Sequence, residues 1–279
     1  MSCYYPLLGL PHGLDASLSY SSHTLNQRAG QHPPFPQQHL LELALYGIEA
    51  GAWRLRDTLT VPTHGDRVVL ASSYGLAPGE LLVAVPVKKG TPLDSHTSLL
   101  PEPSSKRVDR SPVAERCHLA FHWRGISSSY QGEYPLRMAE LAAGSFLSFD
   151  PLLKSDPAVG RSLVVLMSIS RQHDPADLTL ELFDGCSRKL LGCLSHRRNS
   201  CTVVEVPEGG WSAGPLVMRG SGWVGIPIVL RLSRLELPAS MSVEHTHPPT
   251  ELFWEQDRLP GSGQVKRTWL SLLLSSSSA

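Results

Sequence analysis

The chain has 279 residues, enough for one large domain or a medium domain with a smaller companion. Hydrophobic residues make up 41% and charged residues 18%, which excludes the low-hydrophobicity, high-charge class that stays disordered. Lys plus Arg balances Asp plus Glu at 25 each, so there is no global positive field of the kind that drives non-specific binding to nucleic acid or anionic membranes.

No apolar run is long enough for a spanning helix. The opening MSCYYPLLGLPHGLD lacks both a basic leader and a signal-length apolar stretch, so a cytoplasmic protein is the expectation. Five cysteines with no CxxC pair read as free structural thiols in a reducing compartment. Cys186, Cys193, His196 and Cys201 follow a C-x6-C-x2-H-x4-C spacing, which matches no standard zinc finger.

Residues 1–36 read as a flexible N-terminal arm, rich in Ser, Gly, Pro, His and Gln, with Tyr4, Tyr5, Leu7, Leu8 and Leu10 able to dock on the body. Over Gln37 to Gly51, apolar residues Leu40, Leu41, Ala44, Leu45 and Ile48 recur at three- and four-residue spacing. That predicts a short amphipathic helix, with a buried strand as the alternative. Three strands follow, at Trp53 to Val61, Arg67 to Ser72 and Glu80 to Val87, separated by PTHGD, YGLAPG and KKG turn signals. The helix and this meander make a subdomain over 37–100. Residues 101–113, the end of a polar, proline-containing stretch, are the linker or long-loop candidate.

The main domain is expected over 114–274, before a disordered tail at 275–279. Its strands are Cys117 to Arg124, Ser145 to Phe149, Leu163 to Ser170, Leu178 to Phe183, Lys189 to Leu194, Thr202 to Val206, Leu216 to Arg219 and Ile226 to Leu237, with a helical turn near Met138 to Ala143. LVVLMSI, apolar on both faces, reads as a central strand. Asp184-Gly185 between alternating runs marks a hairpin. Many short strands with no strand–helix alternation point to an all-β fold. The expected form is an antiparallel β-sandwich of jelly-roll type with a small helix and meander N-terminal portion.

Four patterns bear on chemistry. Gly220, Gly222 and Gly225 spell the dinucleotide fingerprint, but the fingerprint needs a helix next and IPIVLRLSRLEL reads as a strand, so the glycines read as a turn. His118 and His122 share a strand face but lie about 13 Å apart along it, too far to chelate one ion. His196-Arg197-Arg198 and KRVDR are short basic clusters, read as solvated turns. Trp123, Tyr130 and Tyr134, beside Arg124, Glu133 and Arg137, have the composition of a ligand-binding face that joins ring contact to planar hydrogen bonding. The alternative is a turn-rich loop closing one end of the fold.

In HTHPPTE, a two-residue step puts His245 and His247 on one face of an extended segment, and Glu251 can return as a carboxylate. This run resembles the first metal motif of the cupin family, H-x-H-x3-E, and covers only His245 to Glu251. Ala239 stands where the family has glycine, the next glycine is Gly261, and no histidine follows His247. The resemblance implies a metal-dependent enzyme with a two-His, one-carboxylate site for Fe, Mn or Zn. The leading expectation, with the metal enzyme as the alternative, is instead a soluble non-enzymatic binding or interaction protein with no cofactor, using loops at one end of the sandwich, those of 123–137 and 245–251. Its ligand would be a glycan or a protein, with neither nucleic acid nor a membrane span involved.

Overall fold

The computed structural model describes residues 3–21, 41–62, 66–104, 117–140, 145–150, 160–173, 176–211, 216–221, 227–234, 239–245, and Thr268 and Ser271. As expected, the protein is all-β, and its strands pair antiparallel. The jelly-roll expectation is corrected. A jelly roll holds its strands in two facing sheets, whereas the described strands fall into four separate sheets, two in each unit. The chain divides into two units, the first Met1–Trp123, Ser129–Leu136 and Arg171–His173, the second Arg124–Ser128, Arg137–Ser170 and Asp174–Ala279.

The first unit is built on the stretch that reads as a loose arm. β1 (Cys3–Leu8) is buried along its whole length and pairs with β6 (Leu81–Lys88), while its first residues meet β10 (Tyr134–Pro135). β6 also pairs with β3 (Leu41–Glu49), and β3 with β4 (Ala52–Thr60), which carries β7 (His96–Thr97) at the far edge. β2 (Asp15–Ser21) is central in the second sheet, between β5 (Asp66–Leu70) and β8 (Cys117–Trp123), with β9 (Ile126–Gln131) beyond β8. The two sheets meet where the rings of Tyr5 and Tyr20 pack edge to face, 5.3 Å apart.

Two local expectations fail here for physical reasons. The predicted helix over 37–51 is β3 where it is described. A strand buried on both faces loses the period-two alternation, and its apolar residues then fall at helix-like intervals by chance. Ala50 and Gly51, with φ of 49° and 80°, close the β3–β4 hairpin with the two left-handed residues that such a turn requires. The meander is also incomplete, because β5 leaves its neighbours to pair with β2.

The expected linker begins as packed chain. Leu100 is fully buried, Tyr4 donates to the Pro101 carbonyl (3.0 Å) and Ser104 N–H donates to the Pro86 carbonyl (2.7 Å). Residues 105–116 lie outside the described residues, as does the tail at 275–279. The Arg171 carbonyl accepts from the Trp53 indole (3.2 Å) and from Leu100 N–H (2.9 Å), and its guanidinium reaches Glu102. This ties a short segment from late in the chain into the first unit.

In the second unit, one sheet runs β11 (Ser145–Asp150), β16 (Leu216–Ser221), β13 (Asp177–Asp184), β14 (Leu190–Arg197). The other runs β15 (Cys201–Glu205), β12 (Gly160–Met167), β17 (Ile228–Ser233), β18 (Met241–His245). Alternation on β13 and β16 turns Leu178, Leu180, Leu182, Leu216 and Met218 inward against Val164, Leu166 and Val229 of the facing sheet. LVVLMSI is the central β12, as expected. α1 (Leu136–Glu140) overlaps the start of the helical turn expected over Met138 to Ala143, and 141–143 lie outside the described residues.

The Asp184-Gly185 signal marks the right hairpin with a longer loop. The Asp184 carboxylate accepts from Cys186 N–H, Ser187 N–H and the Ser187 hydroxyl, and Arg188 turns left-handed at φ 61°.

Whether β1 is structural can be measured directly. Leu8→Ala should cost about 2–5 kcal/mol in urea unfolding, as for a buried leucine. A residue of a loose arm would cost less than about 0.5 kcal/mol.

Candidate functional site

The 123–137 segment does not form the expected ring platform. β8 alternates strictly, with Cys117, Leu119, Phe121 and Trp123 inward and His118, Ala120 and His122 on the other face. The three aromatic side chains are 6% (Trp123), 7% (Tyr130) and 0% (Tyr134) exposed, and Tyr130 stacks on Phe121 with centroids 6.4 Å apart. A sugar needs the face of a ring open to solvent, and these faces are spent on the core. Arg124 and Arg137 remain exposed and Glu133 is half-buried. Arg124 has φ 48° and Gly125 φ 80°, so Arg124 is a hairpin-turn residue as much as a binding candidate. The period-two run Cys117, Leu119, Phe121, Trp123 was the sequence signal for this inward placement.

His118 and His122 stay apart, as their spacing requires. His122 Nε2 instead meets Ser17 Oγ at 2.7 Å, a cross-strand contact between β8 and β2. Asp15, opposite His122 in the register, points its Oδ1 at the backbone N–H groups of Ala16 and Ser72. A carboxylate used in that way caps a turn rather than orienting an imidazole as a base.

The glycine motif is corrected in part. Gly220 and Ser221 are the end of β16, paired to β11, and Gly220 also faces Leu180 of β13. Gly222 and Gly225 lie outside the described residues. Among the described residues, the next element is the strand β17, in the other sheet of the same unit, where the fingerprint calls for a helix to hold the pyrophosphate. Of the metal candidates, His245 closes β18 opposite Ile228. His247 and Glu251 lie outside the described residues. Among the described residues, no three His, Cys, Asp or Glu side chains gather into a metal-binding group.

The sequence reading missed two buried polar clusters, both in the second unit. His196, read as part of a solvated basic turn, is 2% exposed. Its Nε2 lies 2.9 Å from Ser168 Oγ and its Nδ1 lies 3.1 Å from Thr202 Oγ1, so one imidazole spans from β14 to the end of β12 and to β15. Beside it, Asn199 takes a left-handed φ of 58° and its Oδ1 accepts from Ser170 N–H at 2.6 Å. Burial lowers the His196 pKa from 6.5 to about 4 and pushes the neighbouring Cys201 thiol up to about 12. Cys201 is thus an inert packing thiol, while Cys186 and Cys193 are exposed, and the four-residue zinc-like spacing is split between interior and surface.

The second cluster is Arg219. It donates through Nε to Glu181 Oε2 at 2.6 Å, approaches the same carboxylate through Nη2, and lies 5.0 Å above the Phe183 ring. A buried guanidinium is tolerable only with such partners. A Leu-Glu-Leu-Phe alternation opposite an arginine strand was the available signal, but reading it required knowing that β13 pairs with β16.

With this geometry in place, the chain was compared with protein-family models, curated proteins and solved structures; none of the three gives a match. Among the described residues, no helix is long and apolar enough to cross a membrane.

The His196 arrangement has a measurable consequence. The folded protein holds the imidazole neutral down to about pH 4, whereas the unfolded chain takes up the proton near pH 6.5. The stability is therefore complete above pH 6.5 and falls as the pH drops toward 4, by about 3 kcal/mol at 1.36 kcal/mol per pH unit. Urea unfolding across this range should show the fall, and His196→Leu should flatten it while lowering stability at pH 7. Parallel curves for the two proteins would assign the acid sensitivity elsewhere.

Proposed function

We propose that the protein is a non-enzymatic interaction protein that engages another protein at the edges of its sheets. The observation behind this reading is where its exposed apolar side chains lie. Among the described residues, the exposed large hydrophobics are Val68 (56%), Leu70 (42%), Leu99 (45%), Leu190 (48%) and Leu191 (37%). Four of these five belong to β5 and β14, the terminal strands of their sheets.

An edge strand offers a row of backbone donors and acceptors, and soluble proteins usually blunt such edges with lysine, proline or a cover. Apolar side chains beside open backbone groups suit a partner strand. The glycan reading loses its support with the burial of Trp123, Tyr130 and Tyr134.

The alternative is a metal-dependent enzyme with His245, His247 and Glu251 as ligands. It rests on the donor chemistry of the HTHPPTE run: two imidazoles and a carboxylate suit Fe(II), Mn(II) or Zn(II).

Two measurements separate the readings. Elemental analysis of the purified protein should find no stoichiometric Fe, Mn or Zn. A full equivalent of metal that disappears in the His245→Ala, His247→Ala double variant would replace the interaction reading with the enzyme. Affinity capture with Val68→Lys, Leu70→Lys and with Leu190→Lys, Leu191→Lys should lose partners that the wild type retains. An unchanged partner set would remove the sheet edges from the function.

A further inference from the structure

Resting on the interaction reading, we propose that β14 receives, as an added strand, an extended segment of a partner protein that is apolar in the middle and acidic at both ends. β14 ends the order β11, β16, β13, β14, so among the described residues its outer edge has no pairing strand. Its central stretch, Leu190 to Ser195, carries no charge, and Leu190, Leu191, Cys193 and Ser195 are all exposed. A register shift between Leu182/Phe183 and their β14 partners leaves Leu191 out of the ladder, which is why two successive leucines both reach solvent. Beyond that bulge, Gly192 to Arg197 continues in regular pairing with β13. A methyl group added at Gly192 would meet nothing within 4 Å, so that position is open as well.

The charges at the two ends select the occupant. Arg188 and Lys189 precede the apolar run, and Arg197 and Arg198 follow it. Lys189 and Arg197 are exposed; the nearest opposing charges on β13 are Asp177, opposite Arg197, and Asp184, whose Oδ1 is committed to the hairpin loop. With Leu191 bulged out, seven ladder positions separate these two cations, about 23 Å at 3.3 Å per position. An added strand with carboxylates about seven residues apart meets both, whichever direction it runs.

A second copy of the chain fits worse. With Leu191 out of the ladder, a two-fold antiparallel pair centred on Cys193 brings Lys189 of each copy within one position of Arg197 of the other, and like charges set that close across a strand pair are unfavourable.

The probe is a fluorescein-labelled peptide, Glu-Glu-Val-Thr-Val-Thr-Val-Thr-Glu-Glu, titrated with the full chain by fluorescence anisotropy. Its controls are the same peptide with lysine for every glutamate and a form N-methylated at alternate valines. The acidic peptide should bind roughly tenfold tighter than the lysine peptide, since exposed pairs contribute little each but act at both ends. Added salt should reduce the difference.

Lys189→Glu with Arg197→Glu, two surface changes, should reverse the order of the two charged peptides. The acidic peptide should also slow maleimide alkylation of Cys193 and leave Cys186 unaffected. An order that survives the charge reversal, an unprotected Cys193, or equal binding of the N-methylated form each overturns the proposal. So does sedimentation showing a dimer that excludes the peptide, which would make a second copy the occupant.

If no peptide binds while partner capture still requires Leu190 and Leu191, the acidic occupant is wrong and the interaction reading stands. If capture is also indifferent to those leucines and to Val68 and Leu70, the interaction reading fails with it.

Discussion

Backbone pairing across long sequence separations is the constraint on which the first unit depends. β1 sits between β10 and β6, and β2 between β5 and β8, so the first 21 residues supply an interior strand to each of its sheets. A buried strand must place every N–H and C=O against a partner, because an unpaired buried peptide group costs as much as a lost hydrogen bond. Residues separated by nearly the whole unit, such as Tyr4 and Tyr134, are register partners for that reason. The Tyr5–Tyr20 contact then joins the two sheets through the same short stretch of chain.

The second unit adds polar ties to a similar apolar plan. Its leucine-rich core would pack in more than one way on hydrophobicity alone, since apolar contacts are non-directional. His196 can satisfy both ring nitrogens only where Ser168 and Thr202 sit on either side. Arg219 likewise matches only a register that puts Glu181 opposite it, as the β13–β16 pairing does. These groups carry a desolvation cost, visible in the lowered His196 pKa, and in return they disfavour shifted registers. His196 lies between the two sheets, whereas Arg219 shares the opposite face of its own sheet with Glu181 and Phe183.

Outside these cores, the sheet edges differ from the rest of the surface. On β5, Val68 and Leu70 are exposed on either side of buried Val69, and on β14 the successive Leu190 and Leu191 are exposed at the start of the strand. On β14 the bulge at Leu191 and the cations at either end both limit which strands can add there. The same features that restrain indiscriminate aggregation therefore give the edge a chemical preference.

The amino-acid pattern by itself determined that the protein is all-β, where most strands of the second unit lie, that Asp184-Gly185 closes a hairpin, and that LVVLMSI is central. Each of these is written locally, in side-chain alternation and turn chemistry. It also pointed to a strand after the GSGWVG glycines, from Pro227 and the β-branched run, and β17 is that strand. Only the tertiary structure decided that the opening residues are interior strands, that β3 is a strand, that Trp123, Tyr130 and Tyr134 face inward, and that the described strands fall into four sheets. Strand partners, and which of two apolar faces is covered, depend on residues far away in sequence. A period of two says that one face is buried and is silent about which strand lies beside it.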